Sequence, residues 1–317
     1  MNKWKKLGLA AGMGGAAFTA AHIINECIFK SAVSNRITKN FELKTYKWRL
    51  GDVAYSVQGK GSPILLIHDL KSDSSSYEWK RCLKMLCKNH KVYTIDLLGC
   101  GYSEKPNITY TAYMYTQLLN DFVVNVITRK VSVIATGNSA PLTIMAAYNN
   151  PYLFNKIILV SPESIQHAMI NPGKRSNIRK LLLNTPVIGT LIYNICVNRH
   201  EINKHLTTEL FAYSNTVPKE VACAYHETAH LGGTNSKYLY ASTQCHYTTA
   251  SISRAVCQLD NCIYIISGKK KQGINEIIEE YTSLNPAIET YLINNSKHLP
   301  QIEQPEEFVN AVNIYLS

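Results

Sequence analysis

The sequence holds nine cysteines but no Cys-x-x-Cys pair. An odd number without paired spacing excludes a complete disulfide framework and argues against a zinc ribbon, so most thiols are expected to be reduced. Also missing are a basic region running into heptads and an aromatic ribonucleoprotein motif, and no nucleic-acid partner is expected. Acidic side chains are scarce: 22 Asp and Glu stand against 33 Lys and Arg, a formal charge of +11. The excess is spread along the chain, which suits an anionic membrane surface at least as well as a polynucleotide. Neither an internal repeat nor a low-complexity tract is present. What is there is 46% hydrophobic over 317 residues, enough to bury a substantial core.

At the N-terminus, Lys3, Lys5 and Lys6 precede a run over residues 7–24 whose only ionisable side chain is His22. Its length approaches that of a spanning helix. Residues 1–30 are therefore read as an N-terminal apolar helix acting as a membrane anchor. A cleaved signal peptide comes second, since no A-x-A site follows. The alternative is an amphipathic or merely apolar helix, because Ala and Gly give the run little hydrophobicity. The expected localisation is membrane-associated with open orientation; a cytoplasmic protein is the alternative.

Beyond it, residues 46–49 and 53–57 look like two short strands joined in a hairpin. The apolar run at residues 64–67 suits a strand buried on both faces. Further strands are expected at 92–95, 131–135, 157–160, 262–267 and 290–293, with helices between them. Such alternation implies an α/β fold with a mostly parallel central sheet and helices on both faces. From 163 to 259 the periodicity is helical only, which reads as a helical cap inserted into a core made of 45–162 and 260–317.

Three motifs then stand in order: Ile-Leu-Leu-Ile-His-Asp at 64–69, Asp-Leu-Leu-Gly-Cys-Gly-Tyr-Ser-Glu-Lys-Pro at 96–106, and Lys-His-Leu-Pro-Gln-Ile-Glu-Gln-Pro at 297–305. Over residues 45–315 the chain resembles the α/β-hydrolase superfamily, esterase- or lipase-like with a helical cap. The resemblance implies a nucleophile on a tight strand-to-helix turn, a histidine base, an orienting carboxylate and backbone oxyanion donors. His298 matches the histidine.

Two registers fit the turn. In one, Ser139 is the nucleophile and Ala140 N–H an oxyanion donor, with Pro141 acceptable in a helix's first turn. In the other, Gly137 occupies the nucleophile position and the triad is degenerate. The resemblance places a proline fourteen residues beyond the nucleophile, and counting back from Pro151 reaches Gly137. The usual acid position, three residues after Gly268, holds Lys271; Glu163 is the replacement candidate. Asp69 stands where the family has Gly, near the oxyanion donor Leu70 N–H. These features imply a serine hydrolase acting on an ester or other small hydrophobic substrate in an apolar pocket under residues 181–193. A catalytically inactive binding protein is the alternative. A third reading comes from His226-Glu-Thr-Ala-His230, a literal HExxH: on a helix both histidines share a face, with Glu227 as base. Its third ligand is missing, since position 236 is Ser and no Asp or Glu occurs over 231–259. No metal and no cofactor is expected.

Overall fold

The computed structural model describes residues 3–38 and 42–317, and of residues 3–14 and 17 the backbone course alone. Eight strands form one sheet in the order β1-β2-β4-β3-β5-β6-β7-β8. They are β1 (Lys44–Trp48), β2 (Gly51–Gln58), β3 (Ser62–Ile67), β4 (His90–Ile95), β5 (Val131–Thr136), β6 (Phe154–Val160), β7 (Cys262–Gly268) and β8 (Glu289–Ile293). The hairpin β1–β2 and the pair β2–β4 are antiparallel, and the rest of the sheet is parallel.

Alternate side chains of the central strands enter two separate cores, as a two-residue period requires. Leu65, Ile67, Val133, Leu159 and Ile265 face one layer, while Ile64, Leu66, Ile134, Ile158 and Ile266 face the other. Because neither face meets water, β3 is apolar throughout residues 64–67 and β5 through residues 133–135. Each such side chain stabilises the fold by about 1.5–3 kcal/mol on burial.

The helices, in chain order, begin with α1 (Lys3–Ala32), α2 (Lys80–Leu86), α3 (Ala112–Phe122) and α4 (Ser139–Asn149). Between β6 and β7 lie α5 (Ile165–Ala168), α6 (Lys174–Asn184), α7 (Ile188–Cys196), α8 (Arg199–His205), α9 (Lys219–His230), α10 (Ser236–Gln244) and α11 (Ser253–Gln258). This is the helical insertion. The chain closes with α12 (Ile274–Leu284), α13 (Pro300–Glu303) and α14 (Pro305–Leu316). Helices α3, α4 and α12 cover one sheet face, and α2 and α14 the other.

The membrane anchor expected over 7–24 finds no support: among the described residues no helix is long and apolar enough to cross a membrane. Much of that run lies outside the described side chains. The C-terminal half of α1 instead docks on the cap. Asn25 is buried, donates to Val187 O at 3.2 Å and accepts from Asn194 Nδ2 at 2.9 Å. Phe29 packs against the ring of His230 at 5.4 Å.

Candidate active site

The site gathers at the carboxyl ends of β3, β5, β6, β7 and β8, where an open α/β sheet leaves loops free to converge. Between β5 and α4 the chain reverses at Gly137, whose φ is +54°. Its N–H donates to Val160 O at 2.9 Å, and its carbonyl accepts from Ala140 N at 3.1 Å. A left-handed residue here suits glycine on backbone grounds, and crowding adds a second reason. A Cβ at Gly137 would lie 2.6 Å from Asp69 Oδ1 and 2.7 Å from its Cγ.

Asp69 therefore fills the space that a side chain on the turn would need. Its Oδ1 accepts from Asn138 N at 2.7 Å and Asn138 Nδ2 at 3.0 Å. Its Oδ2 lies 3.1 Å from Lys71 Nζ and 3.6 Å from His298 Nε2. Burial works to raise the carboxyl's pKa, but Lys71, His298 and the Asn138 amide together hold it well below the usual range. The ionised carboxylate is therefore the favoured form.

Ser139 sits in the first turn of α4, fully buried, and its hydroxyl donates to His68 O at 2.6 Å. No hydrogen bond joins it to His298 among the described residues. Ala140 N–H is already bonded within the turn, so the amide that faces the site is that of Asn138. Leu70 is buried in the cavity wall. His68 is buried too; its Nε2 accepts from Leu97 N at 3.0 Å, which puts the proton on Nδ1, facing Asp69 O.

Lys271 takes the place where the resemblance puts the orienting acid. Its Nζ donates to Ser161 O at 2.8 Å, Pro162 O at 2.9 Å and Glu163 Oε1 at 3.1 Å, which accounts for three protons. The same ammonium is 3.4 Å from His298 Nδ1, closer than Glu163 Oε1 at 4.0 Å. Burial first, and then the Lys271 charge, push the His298 pKa down to about 4. The ring is neutral at pH 7. With a cation beside Nδ1 and an anion beside Nε2, its proton belongs on Nε2, the reverse of a Ser-His-Asp relay.

Above this cluster opens a cavity of about 500 Å³, lined among others by Lys71, Asn138, Arg179, Glu201, His205 and Tyr240. The sequence leads one to expect an apolar pocket under 181–193; the lining is largely polar and charged. The physical reason is local: Leu181, Leu182 and Ile188 face solvent, and of the leucines at 181–183 only Leu183 is buried.

The HExxH motif lies on α9 as expected, with its side chains engaged in other contacts. Among the described residues no group of three or more His, Cys, Asp or Glu could hold a metal. Glu227 instead accepts from Ile37 N at 2.7 Å, Thr38 N at 3.3 Å and Thr38 Oγ1 at 2.6 Å, and so fastens the segment after α1. His230 Nδ1 bonds His226 O at 2.7 Å, and both imidazoles are buried. Glu227→Ala should take its acceptor from the buried Thr38 N–H and cost about 1–3 kcal/mol. A denaturation midpoint checks this; an unchanged midpoint would contradict the role.

In the sequence, Asp69 and Lys271 stand out only as departures from a pattern, and nothing there shows that they face one another across His298. Asn138 and Lys71 carry no motif of their own. A charged residue beside a turn that demands a small one is the available signal.

The profile of the alpha/beta hydrolase family matches residues 64–311. A proline iminopeptidase of Heyndrickxia coagulans is 23% identical over 285 residues, 83% of this chain and 93% of that protein. A soluble epoxide hydrolase of Corynebacterium sp. strain C12 is 23% identical over 267 residues, covering 81% and 91%. Among solved structures, a serine hydrolase involved in carbazole degradation superposes with a TM-score of 0.71 at 18% identity, covering 87% of this chain and 98% of the other.

Proposed function

The chain belongs to the alpha/beta hydrolase family, and from that premise we propose that it hydrolyses a small electrophile, an epoxide or ester, using the Asp69 carboxylate in place of an elbow side chain. The observation that carries this reading is the placement of Asp69. One oxygen is held by the elbow amide of Asn138 at 2.7 Å, and the other is turned toward His298 and Lys71. For an epoxide, Oδ2 attacks a ring carbon, the carbon–oxygen bond opens, and the freed oxygen takes a proton from the Lys71 ammonium. Water then adds to Asp69 Cγ, and the negative charge that develops on Oδ1 meets the Asn138 donors. With Asp69 esterified no anion holds the imidazole proton on Nε2; His298 in its Nδ1–H form takes the water's proton and passes it to the Lys71 amine, and collapse releases the diol and restores the carboxylate. Ser139 stays outside this scheme because its hydroxyl is committed to the His68 carbonyl.

Turnover of styrene oxide in heavy-oxygen water, followed by mass spectrometry of the Asp69 peptide, tests the reading. Heavy oxygen at Asp69 is expected. Hydrolysis without that label would discard the carboxylate nucleophile and leave the hydrolase. A fluorophosphonate probe should leave Ser139 unlabelled.

A second reading, binding without turnover, is favoured by one specific observation: the Lys271 ammonium 3.4 Å from His298 Nδ1, which opposes a base at Nε2. Lys271→Met distinguishes the two. Removing the cation favours imidazolium, so the acidic limb of kcat/KM should move up from about 4 toward the ordinary histidine range. The rate at neutral pH should rise roughly threefold or more. A variant as silent as wild type on every substrate supports binding alone.

A further inference from the structure

Outside the site, the most anomalous surface is on the cap. Helix α6 exposes Ile178 at 69%, Leu181 at 72% and Leu182 at 50%. Helix α7, packed against α6 and α1, exposes Ile188 and Ile195, seven residues apart and so on one helical face. Helix α1 adds Ile23 and Ile24, both more than half exposed. Soluble proteins seldom leave so many large aliphatic side chains together in water. The same α6 carries Lys174, Arg175, Arg179 and Lys180 and no acidic residue.

We infer that this face, built from α6, α7 and the C-terminal half of α1, seats the protein on an anionic lipid bilayer without crossing it. An interfacial helix needs aliphatic side chains on one side and cations at headgroup level, and α6 supplies both within eleven residues. The chain's charge of +11 makes the attraction long-ranged toward a negative leaflet. A second copy of this chain would meet the same basic rim with like charge, which opposes self-association through this face. Arg179 and Cys196, from these two helices, also line the 500 Å³ cavity. Docking would therefore bring the mouth of the candidate site near the membrane surface.

The full-length chain is sedimented with vesicles of phosphatidylcholine alone and with a third phosphatidylglycerol. Binding to the mixed vesicles that weakens with added salt is expected, with little binding to the neutral ones. Leu181→Asp/Leu182→Asp and, separately, Lys174→Glu/Arg175→Glu should each weaken it by roughly tenfold. Tyr152→Asp, a change at an exposed site just before β6 and outside the cap, should leave it intact, and thermal melts verify folding. Absence of binding to mixed vesicles overturns the inference. So does binding indifferent to both double variants, or a dimer in sedimentation velocity that Leu181→Asp/Leu182→Asp dissolves.

Discussion

Gly137→Ser should destabilise the protein by about 2–4 kcal/mol, and on an Asp69→Gly background the same change should cost markedly less. Two terms make the single change costly. A non-glycine residue at φ +54° stores about 1 kcal/mol or more of backbone strain. The new Cβ also falls 2.6 Å from Asp69 Oδ1 and 2.7 Å from Cγ, a contact that forces the carboxylate off the Asn138 amide. Asp69→Gly alone is costly for a different reason, since it strands the Lys71 ammonium and the Asn138 N–H. In the double variant the seryl side chain takes the vacated space, so the two losses must not add. A double-mutant cycle by urea denaturation should give a favourable coupling of about 1–3 kcal/mol. Additive losses would mean that Asp69 and the turn do not compete for one volume. The double variant should also gain slow labelling by a fluorophosphonate, because it alone presents a hydroxyl at the turn with a free amide beside it.

That competition explains which parts of the site can be read from the sequence. The strands are legible because the central ones are largely apolar, and burial on both faces demands such runs. His298 is legible because a short motif surrounds it. The turn is ambiguous at two residues' spacing, since Gly137-Asn-Ser139 satisfies small-residue needs in either register. Only the backbone angle separates them, and φ is not written in residue identity for a segment containing both Gly and Ser. The partners of His298 are illegible for another reason. Asp69, Lys71, Glu163 and Lys271 lie on three loops, and their meeting depends on the order of strands in the sheet, not on spacing along the chain. The HExxH motif misleads in the opposite way: its helical spacing is right, but Glu227 finds backbone donors from residues nearly two hundred positions earlier.

The cap and the N-terminus show the limit of composition. Residues 181–193 look like a pocket lid because they are aliphatic, yet an aliphatic face can turn outward as easily as inward when a neighbouring surface awaits it. The run over 7–24 has the length of a spanning segment without its hydrophobicity. Its continuation carries Asn25 and Glu26, and Asn25 is used against the cap.

Beneath the site, Glu78→Gln should flatten the dependence of stability on pH and make the protein more stable than wild type above pH 8. Glu78 is 1% exposed; it accepts from Asp69 N at 3.1 Å and from Tyr225 Oη at 3.1 Å. Burial, and then the nearby Asp69 charge, raise its pKa to about 8 from 4.5. A group with a raised folded pKa contributes its full stability below its unfolded value, near 4.5 here, and loses it as pH rises through about 8. Each tenfold gain in proton affinity on folding corresponds to about 1.4 kcal/mol, so this single proton contributes several kcal/mol at the acidic end of that window. Wild type should therefore lose unfolding free energy steadily between pH 5 and pH 8 as far as this group is concerned. The glutamine keeps the Asp69 N–H bond through its oxygen, reverses the Tyr225 bond with its amide as donor, and has no proton to lose. Thermal midpoints of both proteins at pH 5, 7 and 9 provide the comparison. The curves should lie close together at pH 5 and separate in favour of Glu78→Gln as pH rises; parallel curves would mean that Glu78 is ionised throughout and that Asp69 is not the charge it faces.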